Sequence, residues 1–368
     1  MNEPTDEPKL IKCRNGNGSS KSFAQFKEAI EAKLTPGGKV CVHTHPFPDP
    51  DAIASMMGIK WLLEKVYDTE VDMFASGEVS HPQNINMVNL LGPKLIPAEQ
   101  CCPSEYVLRI LIDVVPSNAG TAGKLVEFDI VIDHHVEQTN SEFDGLFINM
   151  HMGSCAATVY HLAKFYGESF EEDNDVDQIV ATALVIGIAT DTCYCQNDGT
   201  TEYDHDASKE LFPYRDPEAI QKILKYKKNK FWVKAMAEAA QRAVFKENVA
   251  IVGLGLLTAK QRDLIAVMAD EMLTWDGVDT AIVFAIVDGD RIEGSVRTMN
   301  PAISAAKLCN ELGTDRGGNG WGHSKKAAYK YNLGGMSIDS ADDDNIQQKT
   351  WNLADEREVL RVERVIKK

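Results

Sequence analysis

Acids and histidines stand where short apolar, β-branched runs end, and this placement constrains the chain more than any other feature of it. The runs are Lys39–His43, Glu70–Ala75, Leu108–Asp113 and Phe128–Asp133, and helical patterns over Ala52–Val66, Cys155–Tyr166 and Val176–Ala189 accompany them. Such alternation predicts βα units and a parallel sheet. Several runs are apolar on both faces, as strands covered by helices on each side would be.

The polar ends are His45-Pro-Phe-Pro-Asp49-Pro-Asp51 after the first run, Asp113, Asp133-His134-His135, and Thr190-Asp191 after a helix. Ligands of open α/β sheets bind at the carboxyl edge of the strands. A carboxylate there is costly to bury unless positive charge compensates it, so four converging segments predict metal. Oxygen-rich donors with one imidazole per ion suit a hard to borderline divalent cation, Mn²⁺ ahead of Zn²⁺, with Mg²⁺ or Co²⁺ admissible. Asp49, Asp51, Asp113 and Asp191 would balance two such ions.

The remaining chain reads as a second domain. Pro217–Lys246 is helical in pattern without a strand signal, and then come a strand Val249–Leu257, a helix Gln261–Thr274, strands Thr280–Val287 and Arg291–Thr298 about the Asp288-Gly289 turn, and a helix Ala302–Leu312. A glycine-rich run follows, Gly317-Gly-Asn-Gly-Trp321-Gly322-His323. The expected organisation is a flexible arm 1–20, a metal-binding domain 21–215, a helical linker 216–246, a smaller mixed-sheet α/β domain 247–335 and an extension 336–368. At 368 residues the chain is long enough for two cores.

The order and spacing of these residues resemble the DHH phosphoesterases, named for the tripeptide that here is Asp133-His134-His135. His45, Asp49 and Asp51 match the first motif, Asp113 the second and Asp191 the fourth, and Gly294-Ser295-Val296-Arg297 with Gly322-His323 resemble the DHHA1 substrate domain. The resemblance implies two metals, one on His45, Asp49 and Asp113, the other on Asp51, Asp113, His134 and Asp191, with Asp113 bridging. It also implies a catalytic part for Asp113, His134 and His135, with His135 donating to a phosphate oxygen. Ser295, Arg297, Trp321, Gly322 and His323 would join His135 in binding substrate. Two departures stand out. Phe47 occupies the position where the family carries asparagine, and the Gly-His loop is longer and contains Trp321, an indole able to stack on a base.

Within the family the chain is most similar to the short oligoribonucleases (nanoRNases) that also remove phosphate from 3′-phosphoadenosine 5′-phosphate (pAp), which implies hydrolysis of short RNA or a nucleotide bisphosphate in a cleft between the domains. A cyclic-dinucleotide phosphodiesterase shares every ligand; a RecJ-type single-strand exonuclease is disfavoured by length, and a nucleotide sensor without activity by retention of all the ligands. The second-half motifs oppose a class II pyrophosphatase. A net charge of -17, from 38 basic and 55 acidic residues, argues against duplex DNA as partner. With no apolar run long enough for a bilayer and no leader pattern, a cytoplasmic protein is expected, with a homodimer left open. The eight cysteines form no CxxC pair and read as reduced thiols. His43 and His151 match no ligand position and read as packing or surface residues, while Ser154 reads first as a helix cap and second as part of a phosphate-binding helix end.

Overall fold

The computed structural model describes residues 23–77, 79–135, 143–322, 324–339 and 343–366, in two compact units divided between Tyr226 and Lys227. The expected arm 1–20 and His323 lie outside the described residues.

The first unit begins with α1 (Phe23–Lys33) and runs β1 (Lys39–Thr44), α2 (Pro50–Tyr67), β2 (Val71–Ala75), α3 (Pro82–Leu91), β3 (Leu95–Pro97), β4 (Tyr106–Ile112), α4 (Ala122–Leu125), β5 (Ile130–Ile132) and β6 (Leu146–Ile148). It closes with α5 (Cys155–Phe165), α6 (Asp175–Asp191), α7 (Glu202–Leu211) and α8 (Pro217–Leu224). All six strands are parallel, in the order β3-β2-β1-β4-β5-β6. The chain builds outward from β1 to one side and then from β4 to the other, so the strand order reverses between β1 and β4. That crevice is where a doubly wound sheet receives ligands.

Both faces of the sheet are covered. Val40, Val42, Ile110 and Ile112 pack under α2, α5 and α6 in a large core, while Leu111, Val131, Val114 and Phe128 form a smaller one. Local chemistry starts the helices around the site. Asp49 caps α2 by accepting from the Ala52 amide, with Pro50 at the first helical position where its missing N–H costs nothing. Ser154 caps α5 at the Ala157 amide, as its sequence position suggests.

The second unit holds α9 (Lys230–Arg242), β7 (Val244–Lys246), β8 (Val249–Leu257), α10 (Leu264–Met272), β9 (Thr280–Val287), β10 (Arg291–Thr298), α11 (Ala305–Thr314), β11 (Asn319–Gly322), β12 (Lys326–Asn332) and α12 (Asp344–Ile366). Its sheet is mixed, ordered β11-β12-β10-β9-β8-β7 with only the β8/β9 pair parallel. The fold class is therefore the expected one, a parallel-sheet α/β unit followed by a mixed-sheet α/β unit. One local reading needs correction. Helical pattern was expected through Lys246, but Val244–Lys246 is a strand paired antiparallel with β8. The tight reversal at Glu247, whose φ is +51°, folds the chain back so that pairing overrides helical composition.

Candidate metal centre

Every predicted ligand lies at or beyond the carboxyl end of a strand, or at a helix end facing it. His45 follows β1 directly, and Asp113 follows β4 with φ +61°, a left-handed turn that Asp tolerates better than most residues. The Asp113 amide donates to the Ile132 carbonyl, which ties this turn to the neighbouring β5. Asp133, His134 and His135 leave β5, and Asp191 is the last residue of α6.

These side chains converge as three groups of metal-ligand type: His45, Asp49 and Asp113; Asp51, His134 and Asp191; and Asp113, His134 and His135. Within each group the donor atoms lie within 4.8 Å of one another. Asp113 takes part in two groups, with Oδ2 3.7 Å from His45 Nε2 and Oδ1 3.4 Å from His134 Nε2. His134 Nε2 is also 3.1 Å from Asp191 Oδ2.

The imidazoles are held through their other nitrogens or neighbours. His45 Nδ1 is 3.0 Å from the Pro46 carbonyl, and a proton on that nitrogen leaves Nε2 as the acceptor turned to Asp49 and Asp113. His135 Nδ1 lies 2.7 Å from the buried Asp133 carboxylate, which also accepts from the His135 amide. Asp133, the first letter of the tripeptide, thus orients a histidine.

Asp51 is gripped differently. The first amides of α5, on Cys155 and Ala156, donate to its two carboxylate oxygens at 2.7 and 2.9 Å. The end of α5 already holds a carboxylate, so the alternative reading of this helix terminus as a phosphate site is ruled out.

Electrostatics point the same way. Burial and then the Asp191 charge push Asp51 up to about 8, despite the two amides. Burial followed by the nearby Asp51 and Asp49 charges raises Asp113 well above the carboxylate range, and its Oδ1 makes no hydrogen bond. Burial would lower His134, but Asp191, Asp113 and Asp51 outweigh it and raise it well above the usual value. Burial opposes ionisation of Asp49 as well, yet His45 brings it down to about 2. Carboxylates crowded together in a buried site, one with an oxygen that makes no hydrogen bond, fit a site built for cations. The donor set of carboxylates and imidazoles without a thiolate suits a divalent metal.

Three supporting residues escaped sequence reading. Asn84 on α3 donates to the Pro48 carbonyl beside Asp49, Asn197 to the Asp191 carbonyl, and Asn149 to the His135 carbonyl. Phe47 stands with φ +58° and its ring against Gly77, while its amide donates to Ser76. The buried amide side chain behind this loop is Asn84. An asparagine on a separate helix has no motif spacing by which it could have been found. His43, as expected, is packed, between Phe74 and Phe128.

Residues 39–188 match the DHH family, N-terminal domain. The first unit thus carries a DHH-family N-terminal domain. Its sequence is 30% identical over 315 residues to the uncharacterized protein MJ1633 of Methanocaldococcus jannaschii, covering 85% of this chain and 62% of that one. It is 25% identical to the cyclic-di-AMP phosphodiesterase GdpP of Bacillus subtilis over 86% of this chain and 48% of GdpP. A probable manganese-dependent inorganic pyrophosphatase of Streptococcus equi is 24% identical over 47% of this chain and 54% of that protein. The chain thus spans between about half and three-fifths of these relatives' lengths. Among solved structures, an exopolyphosphatase-related protein from Bacteroides fragilis shares this fold with a TM-score of 0.65 at 15% identity, covering 93% of this chain and 97% of that one.

In the second unit, Ser295 and Arg297 sit on β10, and Trp321 and Gly322 on β11. Arg297 is paired through Nε with Asp270 at 2.7 Å and donates through Nη1 to Ser295 Oγ at 2.6 Å. Ser295 and Trp321 line one small pocket with Arg262, Glu293 and Tyr329. The Trp321 indole is 44% exposed and Lys330 lies over it at 5.6 Å.

Among the described residues, no helix is long and apolar enough to cross a membrane.

Proposed function

We propose that this protein is a divalent-metal phosphoesterase that hydrolyses short oligonucleotides or nucleoside 3′,5′-bisphosphates such as pAp. The observation that carries the reading is Asp113: a buried carboxylate with one oxygen that makes no hydrogen bond, shared between two groups of ligands at the strand-order reversal.

His45, Asp49 and Asp113 would hold one ion and Asp51, Asp113, His134 and Asp191 the other, with Mn²⁺ the preferred metal. When bound, two such ions supply Lewis acidity toward phosphoryl oxygens and make water nucleophilic near neutral pH. The protein's own part is preorganisation. Asp133 fixes the His135 ring through Nδ1, and the doubly protonated ring would donate through Nε2 to a phosphate oxygen. The α5 amides hold Asp51 in one rotamer, so no side-chain freedom is lost when a cation arrives. In the second unit, Arg297 is assigned to a phosphate or base, Trp321 to stacking, and Ser295, Gly322 and His323 to the surrounding contacts. The Arg297 guanidinium is already oriented by Asp270 and Ser295.

A second reading is turnover of a cyclic dinucleotide. The alignment with GdpP favours it, because that alignment extends over 86% of this chain where the pyrophosphatase alignment extends over 47%.

Product analysis with Mn²⁺ separates the two. The protein is offered pAp, RNA dinucleotides to pentamers, and cyclic dinucleotides in parallel, with Asp113→Ala as control. AMP or mononucleotides from pAp and short RNA, absent with Asp113→Ala, is the expected result. Turnover of cyclic dinucleotides alone would transfer the assignment to signalling, and full activity of Asp113→Ala would overturn the site.

A further inference from the structure

The first unit carries a second group of ligand-type side chains, and it differs in chemistry from the first. Cys41 and His43 alternate on β1, so they share one face of the strand. Cys101 follows the short helical turn Ala98–Gln100 that leads from β3 towards β4. The donor atoms of these three residues lie within 4.8 Å of one another, while the carboxylate site is assembled from the residues after β1, β4 and β5 and from the end of α6.

The histidine is the telling member. His43 is fully buried, and neither ring nitrogen has a hydrogen-bond partner. Its ring plane is fixed by stacking on Phe74 at 4.8 Å and by an edge contact with Phe128 at 5.4 Å, neither of which uses a nitrogen. Buried polar atoms almost always find a partner. Here the ring nitrogen has two thiols beside it, in a face otherwise lined by Leu111, Val131 and Phe128. Cys41 is fully buried and Cys101 is half-buried.

We propose that Cys41, His43 and Cys101 form a zinc site separate from the carboxylate centre. Two thiolates and a neutral imidazole cancel the charge of Zn²⁺, which an apolar pocket requires, whereas a monovalent copper ion would leave a buried negative charge. Zinc takes sulfur at about 2.3 Å and nitrogen at about 2.0 Å in tetrahedral geometry, so the donors need to close by only about an ångström. Both thiol protons leave to solvent on binding. The ion would staple the central strand β1 to the connection that crosses over the sheet, two residues before His45.

Co²⁺, which reports thiolate ligands by a sulfur-to-metal charge-transfer band in the near ultraviolet, tests the proposal without reference to activity. It is added alone to reduced, metal-stripped full-length protein carrying Cys193→Ser and Cys195→Ser, which removes the thiols next to Asp191. The expected result is a thiolate band that Zn²⁺ displaces, that Asp113→Ala retains, and that is lost in Cys101→Ser with an unchanged far-ultraviolet spectrum. Should Cys101→Ser fail to fold, His43→Phe, which keeps a ring between Phe74 and Phe128, must also lose the band. The absence of a band, its survival in whichever of these variants folds, or its loss in Asp113→Ala would each overturn the site. Failure here leaves the phosphoesterase reading intact, since that reading uses none of these three residues.

Discussion

Asp113 gathers both ligand groups because its backbone turns left-handed as it leaves β4, aiming one carboxylate into the crevice between two strands. Burying it without a cation is unfavourable. Asp113→Asn should therefore leave the metal-free protein as stable as before or more so, while abolishing stabilisation by Mn²⁺. With metal at a hundred times its dissociation constant, that stabilisation should be about 2.7 kcal/mol for one site. Thermal melts with and without chelator measure both. Asn84 acts one step further out. Asn84→Ala removes the donor to the buried Pro48 carbonyl and should cost about 1–3 kcal/mol, read by urea unfolding, together with weaker Mn²⁺ binding by calorimetry because Asp49 follows Pro48. The acids and histidines were legible as residues because a charge at the end of an apolar run needs a reason. Their asparagine supports were not, since a hydrogen bond to a distant carbonyl leaves no mark on local spacing.

At the scale of elements, the site depends on how closely α6 approaches α2 and α5. A Cβ on Gly187 would lie 2.9 Å from Ala54 Cβ, 3.0 Å from Ala156 Cβ and 3.1 Å from Asp51 Oδ1. Gly187→Ala should destabilise the protein by about 1–3 kcal/mol through overpacking. It should also weaken metal binding by displacing Asp51, and titration of Mn²⁺ into the variant checks this. Long periodic elements such as α2 and the strands β1, β4, β9 and β10 were readable from pattern. The three-residue strands β3, β6 and β7 were not, because pairing with a neighbour, rather than any pattern of their own, makes them strands. Helices α3 and α7 were missed as well. Each is 10 residues long with few buried positions, so its apolar stripe is narrow.

For the whole molecule, each unit has its own core. The second is built around β8–β10 and β12, with α10 on one side and α11 and α12 on the other. In it, buried Glu358 on α12 accepts from Tyr329 and Tyr331 at 2.7 and 2.6 Å and from Arg361 at 2.8 Å, while Arg361 also donates to the Leu312 carbonyl. Glu358→Ala removes the acceptor of Arg361 Nη1 and of two tyrosine hydroxyls at once and should cost about 3–5 kcal/mol. All proposed metal ligands belong to the first unit, so Mn²⁺ affinity should stay as it is. Calorimetric unfolding and metal titration of the same variant test the pair of statements.

By itself the sequence determined the parallel α/β character of the first unit, the mixed second unit and the identity of the clustered acids and histidines, because periodicity and chemically costly residues are local properties. Only the tertiary structure decided which way strand order reverses and that the α5 terminus is occupied by Asp51. It also decided that His43, read as a packing or surface residue, lies beside two thiols with neither ring nitrogen hydrogen-bonded. These depend on contacts between residues far apart in the chain, where spacing carries no information and only packing brings the partners together.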